Sequence, residues 1–137
     1  MGEAHAGRLL DHVHVRVADL GASRRFYEGA LAPLGVPVRA GEHAFAADEL
    51  YVSTDGPRTT GLHLAFQAAD RDLVQRFYDA ALAAGGRDNG PPGERTYHPG
   101  YYSAFVLDPD GNNIEAVYHG PFERSAPSVV FTWDDPE

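Results

Sequence analysis

Residues His12–Tyr27 read HVHVRVADLGASRRFY, and residues His63–Tyr78 repeat the pattern as HLAFQAADRDLVQRFY. Aligned without a gap over twenty-four positions from each histidine, the two copies agree at ten. An internal repeat of this strength predicts that the chain is built from two copies of one structural unit. It also predicts that His12 and His63 occupy equivalent places in the two units.

The first unit begins with a strand pattern and continues with a helix pattern. Val13, Val15 and Val17 alternate with polar residues, which is typical of a half-buried strand. Asp19 is a suitable N-cap for an amphipathic helix over 23–34. Shorter strand patterns follow at 36–40, 43–47 and 49–54. The unit is therefore expected to fold as βαβββ.

The second unit follows the same plan, with a strand from His63, a helix capped by Asp70 and later strands at 101–107 and 113–118. Between them lies Arg87–Gly100, RDNGPPGERTYHPG, so rich in proline and glycine that we expect no strand or helix to persist. Segments of this kind in compact domains are usually functional or disordered. We expect either a mobile loop bordering a pocket or a rigid surface crossover.

Together these patterns predict an α+β protein of two paired βαβββ modules, forming a half-open curled sheet with the helices outside. We expect a single domain over residues 1–137. Its parts would be module one at about 9–59, module two at about 60–119, and a C-terminal tail at 120–137 with a β-prone run at 129–133. The histidines of both first strands would then face the hollow of the sheet.

Composition excludes several classes of function. The 137 residues carry a net charge of −9 without a basic patch, which argues against a nucleic acid or an anionic membrane as partner. No apolar run is long enough to span a bilayer, and the opening MGEAHAGRLL lacks the apolar core of a signal peptide, so we expect a cytoplasmic protein. The absence of cysteine excludes disulfides, thiolate metal sites and thiol nucleophiles.

Three stretches resemble the vicinal oxygen chelate superfamily, which includes glyoxalase I, fosfomycin-resistance enzymes, extradiol dioxygenases and bleomycin-resistance proteins. They are LDHVHVRVADLGASRRFY, GLHLAF and FVLDPDGNNIEAVYH. The resemblance implies one divalent metal ion held by His12, His63 and Glu115, with Glu115 also the candidate catalytic residue. Two imidazoles and one carboxylate suit Fe, Mn, Ni, Co or Zn, among which the sequence does not choose.

Eight further residues are candidates for the substrate pocket: His14, Arg16, Glu49, Tyr51, Gln67, Tyr97, His98 and Tyr102. Glu49 is the acid nearest to the place where glyoxalase I has a fourth metal ligand, but it is also suited to a solvated surface position. Tyr101 borders the proline- and glycine-rich stretch together with Tyr97, His98 and Tyr102 and is a further pocket candidate. Most of these four residues are equally compatible with ordinary surface or packing roles.

The resemblance implies a metal-dependent enzyme of the glyoxalase or dioxygenase type, acting on a small oxygen-rich substrate chelated to a divalent cation. The alternative is a non-enzymatic protein that binds or sequesters a drug, as bleomycin-resistance proteins do. Binding-only members typically lose the ligand set, which this chain retains. The resemblance also implies a homodimer, with the site either within one chain or shared between two.

Overall fold

The computed structural model describes residues 5–125 and residue 132. The first module contains β1 Val13–Arg16, α1 Leu20–Leu31, a 3-10 turn Ala32–Leu34, β2 Arg39–Ala40, β3 Ala44–Ala47 and β4 Leu50–Ser53. The second contains β5 His63–Gln67, α2 Arg71–Ala83, β6 Arg87–Glu94, β7 Tyr102–Leu107 and β8 Asn113–Tyr118. Apart from residue 132, the β-prone run at 129–133 lies outside the described residues.

The strands form two four-stranded sheets, one in each module, in the orders β1-β4-β3-β2 and β5-β8-β7-β6. In both sheets the first strand of the module pairs in parallel with the last, and the remaining pairs are antiparallel. The expected α+β fold of paired βαβββ modules is therefore confirmed. The two sheets are separate and do not close on each other.

Each helix begins at the aspartate that the sequence indicates. Asp19 is extended and its carboxylate accepts a hydrogen bond from the Ala22 N–H at 3.1 Å. Asp70 caps α2 in the same way through Leu73, at 2.8 Å. These caps satisfy N–H groups that a helix end leaves without partners. Helix α1 therefore starts at Leu20, directly after its cap, and not at residue 23 as predicted. No helix of the described chain is long and apolar enough to cross a membrane.

The two modules share one hydrophobic core, in which α1 contacts α2. The helices approach so closely that a Cβ added at Gly29 would lie 2.6 Å from the methyl group of Ala84. A polar bond reinforces the contact, since the buried Tyr27 hydroxyl of α1 donates to Asp108, in the turn between β7 and β8, at 2.7 Å. Burial, followed by the charge of Asp108, raises the pKa of Tyr27 well above its ordinary value.

The prediction that Arg87–Gly100 contains no strand is wrong, because β6 occupies Arg87–Glu94 and pairs with β7. The pairing register shifts twice, between Asp88 and Gly90 and between Gly90 and Gly93. The second shift spans the two prolines, which have no N–H to donate to β7. The strand tolerates them because β6 lies at the edge of its sheet. Only the stretch after Glu94 remains a loop.

Candidate functional site

The centre of the candidate site is a buried carboxylate beside an exposed histidine. Glu115 is only 1% exposed, and its Oε1 lies 2.7 Å from Nε2 of His63. The parallel pairing of β5 with β8 produces this contact, because Ala65 lies opposite Glu115 and His63 is two residues earlier on the same face. We call this side of the sheet, which carries His63, Ala65, Phe105 and Glu115, the open face of module two. The opposite side packs on α2.

The second carboxylate oxygen of Glu115 also has a partner. The hydroxyl of Tyr101, just before β7, donates a short hydrogen bond to Oε2. Burial, followed by this bond and the negative charge of Glu115, raises the pKa of Tyr101 above its ordinary value. The tyrosine is therefore a stable proton donor at neutral pH, and it holds the glutamate in one orientation.

A pair of histidines lies next to Tyr101. Nε2 of His98 is 2.8 Å from Nδ1 of His119, and the two rings stack with their centroids 5.1 Å apart. Each ring also meets the Tyr101 ring edge-on. His119 is exposed overall, but its burial against these neighbours, followed by the proximity of His98, lowers its pKa below the ordinary value. The neutral form of His119 is therefore favoured.

His12 does not join this group. It precedes β1, is exposed, and its Nδ1 lies 2.7 Å from a carboxylate oxygen of Asp11. Among the described residues, no group of three or more His, Asp or Glu side chains is close enough together to hold a metal ion. One chain thus brings two of the three predicted ligands together, His63 and Glu115, and places His12 elsewhere.

His12 instead borders an open cavity of about 430 Å³ on the first sheet. Three predicted pocket residues line the same cavity: His14, Glu49 and Tyr51. The rings of His14 and Tyr51 meet edge-on at 4.8 Å, and Nε2 of His14 is 2.8 Å from the Ser53 hydroxyl. The first sheet therefore has a polar face of its own, at the position that the repeat makes equivalent to the open face of module two.

The strand register identifies the counterpart of Glu115 in module one. The repeat makes His14 equivalent to Ala65, which lies opposite Glu115 in the second sheet. In the first sheet the residue opposite His14 is Tyr51. Tyr51 thus occupies the position equivalent to Glu115, while Glu49 is exposed and lies two residues earlier, just before β4. The register offers no support for Glu49 as a fourth ligand.

The remaining predicted pocket residues are dispersed. The Arg16 side chain donates to the Asp55 carbonyl at 2.6 Å, and Gln67 accepts from Arg124 at 3.0 Å. Tyr102 packs against a second, smaller hydrophobic cluster formed by Ala68, Val74 and Ala104, and the Arg71 guanidinium lies over its ring. Tyr97 is exposed, and its ring makes an edge-on contact with the ring of Tyr101 at 4.8 Å.

Sequence reasoning missed two residues of the candidate site, His119 and Phe105, although the strand alternation could have indicated His119. Residues at alternate positions of a strand point to the same side, so the alternation from Glu115 through β8 indicates His119 just beyond its end. Phe105 lies directly opposite Glu115, and its ring centroid is 6.0 Å from that of His63. That contact depends on hairpin register, which the sequence does not specify uniquely.

Comparison with known proteins agrees with this architecture. The sequence profile of the Glyoxalase/Bleomycin resistance protein/Dioxygenase superfamily matches residues 9–116. A glyoxalase/bleomycin resistance protein from Albidiferax ferrireducens T118 is 32% identical, with a TM-score of 0.68 over 80% of this chain and 97% of that one. A glyoxalase-related enzyme from Fulvimarina pelagi, 19% identical, shares the fold, with a TM-score of 0.62 over 87% of this chain and 99% of that one. No curated protein matches the sequence. The chain belongs to the glyoxalase/bleomycin resistance protein/dioxygenase superfamily.

Proposed function

We propose that the protein is a metal-dependent enzyme that acts on a small oxygen-rich substrate chelated to one divalent cation. The observation that carries the proposal is the contact between His63 and the buried Glu115, at 2.7 Å. A buried carboxylate is costly unless it is paired and hydrogen-bonded. The chain maintains this one beside an exposed imidazole, on a face where Ala65 is also exposed.

The donor set suits a divalent cation. An imidazole nitrogen and a carboxylate oxygen already converge, and both are ligands of Fe, Mn, Ni, Co and Zn. Hydrogen-bond partners of metal ligands orient them and tune their affinity, and Tyr101 would do this for Glu115. When bound, the cation would polarise a chelated substrate oxygen and stabilise negative charge that develops there.

The residues of the open face have separate roles in this proposal. His63 binds through Nε2 in its neutral form, and Glu115 is the buried acid to which we assign both a ligand and a catalytic role. Tyr101 keeps its proton and fixes the glutamate, since its pKa is raised. Phe105 forms an apolar surface beside the two ligands.

The third ligand, His12, is proposed to come from a second copy of the chain. Within one chain His12 lies with Asp11 and not with His63 and Glu115. A homodimer that set the first sheet of one chain against the second sheet of another would complete the ligand set twice. The polar face around His12, with its open cavity, supports this arrangement.

The experiment is metal analysis of the purified protein by mass spectrometry, together with light scattering. We expect about one divalent ion per chain and the mass of a dimer. The variant His63→Ala should lose most of the metal, because removing one of three protein ligands leaves a weak site. His43→Ala is the matched control, since His43 lies before β3 with its side chain exposed.

Mixing two variants tests whether the site is shared. Neither His12→Ala nor His63→Ala alone should retain metal, but a mixed dimer would regain one intact site for each two chains. Recovery of metal in the mixture supports the shared site, whereas no recovery contradicts it. Undiminished metal content in His63→Ala would contradict the ligand assignment. The mass of a monomer at micromolar concentration would contradict the proposed dimer.

The second candidate function is a binding protein without catalysis. The observation that favours it is that one chain brings only His63 and Glu115 together, without a third ligand among the described residues. The two candidates differ in their response to a chelator. Ligand binding that persists undiminished after metal removal by EDTA would favour the binding protein over the metalloenzyme.

A further inference from the structure

A half-buried arginine lies on the same face as Glu115. Arg95 follows β6, and its guanidinium carbon lies 5.1 Å from the centroid of the Phe105 ring. Phe105 is the residue directly opposite Glu115 in the neighbouring strand. The arginine is therefore part of the surface that surrounds the proposed metal ligands.

Two glycines of β6 make room for this side chain. A Cβ at Gly90 would lie 3.5 Å from one terminal nitrogen of Arg95, and a Cβ at Gly93 would lie 3.1 Å from the other. Gly90 pairs with Phe105, which in turn pairs with Glu115. The guanidinium consequently lies level with Glu115 and two strands away, a separation of roughly 10 Å in a sheet with ordinary strand spacing.

The charge of Arg95 has few protein partners. A guanidinium carries five N–H donors in a planar fork suited to carboxylate and phosphate. Among the described residues, one acceptor meets the side chain, the Pro91 carbonyl at 2.6 Å, and no carboxylate lies within ion-pair distance. A half-buried cation with most of its donors unused is suited to an external anion.

We propose that Arg95 binds an anionic group of the ligand, and that the substrate therefore carries a carboxylate or phosphate within about 10 Å of its chelating oxygens. This inference rests on the proposed function for the position of the chelating oxygens. It goes beyond it by naming the chemical class of the substrate: a small molecule with vicinal oxygens at one end and an oxyanion at the other.

The test uses two probes that differ in one group. Catechol and 3,4-dihydroxybenzoate present the same vicinal oxygens, but only the second has a carboxylate. Both are titrated by calorimetry into the Zn(II)-loaded protein. Because charge-assisted bonds to arginine are strong and bidentate, we expect the acid to bind roughly 10- to 100-fold more tightly than catechol.

Three variants assign the preference to one residue. Arg95→Gln should abolish the preference for the acid while leaving catechol affinity within about 2-fold, and Arg95→Lys should retain part of it. Arg76→Gln, on the solvent side of α2, removes the same charge elsewhere and should change neither affinity. An unchanged preference in Arg95→Gln, or an equal loss for both probes, would overturn the proposal. So would dissociation of the Arg95→Gln dimer into monomers, measured by light scattering, because Arg95 would then bind the partner chain instead of the ligand.

A metal-free arm separates this inference from the proposed function. If the protein binds no metal, the metalloenzyme proposal fails, and the metal-free protein is titrated with benzoate and benzyl alcohol. Benzoate binding that is lost in Arg95→Gln would still support the anion site. Equal benzoate affinity in the wild type and Arg95→Gln would refute it.

Discussion

Replacing Tyr27 by phenylalanine tests the bond that joins the two modules. The hydroxyl of Tyr27 on α1 donates to Asp108 of module two at 2.7 Å, and both side chains are buried. The variant retains the ring and leaves one oxygen of Asp108 without its donor. A hydrogen bond to a charged group is worth about 1.5–3 kcal/mol, so we expect the free energy of unfolding to fall by about 2 kcal/mol. The corresponding loss in Tm is about 5–10 °C for a chain of this size.

The repeat supplies the control. Tyr78 occupies the equivalent position of α2 and is only half-buried, so Tyr78→Phe should cost less. Urea denaturation at pH 7 compares the two variants with the wild type, and equal losses would refute the reasoning.

The raised pKa of Tyr27 adds a pH dependence to this prediction. The folded protein keeps a proton that the unfolded chain loses above the ordinary tyrosine pKa of about 10. The stabilisation is therefore complete below pH 10 and is lost as the pH rises further. The difference between wild type and Tyr27→Phe should shrink above pH 10, and a difference that grew there would contradict the assignment.

Three further changes test other contacts. Tyr101→Phe should weaken divalent metal binding by roughly 10-fold with little change in Tm. Competition with a chelator measures the metal affinity, and an unchanged affinity would contradict the positioning role of Tyr101. As the pH falls below about 6.5, the free energy of unfolding should decrease less in His119→Gln than in the wild type. The reason is that the lowered pKa of His119 favours its neutral form in the folded state. Gly29→Ala should cost about 1–3 kcal/mol through its clash with Ala84, despite the better helix propensity of alanine, and Ala84→Gly should restore part of the loss in urea denaturation.

The elements with local signals were predictable from the sequence. The caps at Asp19 and Asp70, the two helices and most strands follow from side-chain spacing and from chemistry within a few residues. The repeat adds the equivalence of the modules. β6 was missed because proline and glycine content is a local signal, whereas tolerance of Pro91 and Pro92 depends on where the strand lies in the sheet.

The candidate site was harder to predict because its contacts cross between elements. The pairing of His63 with Glu115 depends on the register of β5 against β8, and the separation of His12 from them depends on how the two modules pack together. No local pattern encodes either. Tyr101 reaches Glu115 only because the β7–β8 pairing aligns their side chains on one face, and the register that sets this was not specified by the sequence.

The two prolines of β6 also restrict how the sheets can recruit another chain. In a regular strand, neighbouring residues direct their N–H groups to opposite sides, so adjacent prolines remove one donor from the ladder and one from the exposed edge. β6 is thus a poor template for sheet extension, and β2, with two residues, offers little more. The opposite edges are β1 and β5. A further strand that pairs with either sheet through its backbone would therefore add to β1, which begins directly after His12, or to β5, which begins at His63.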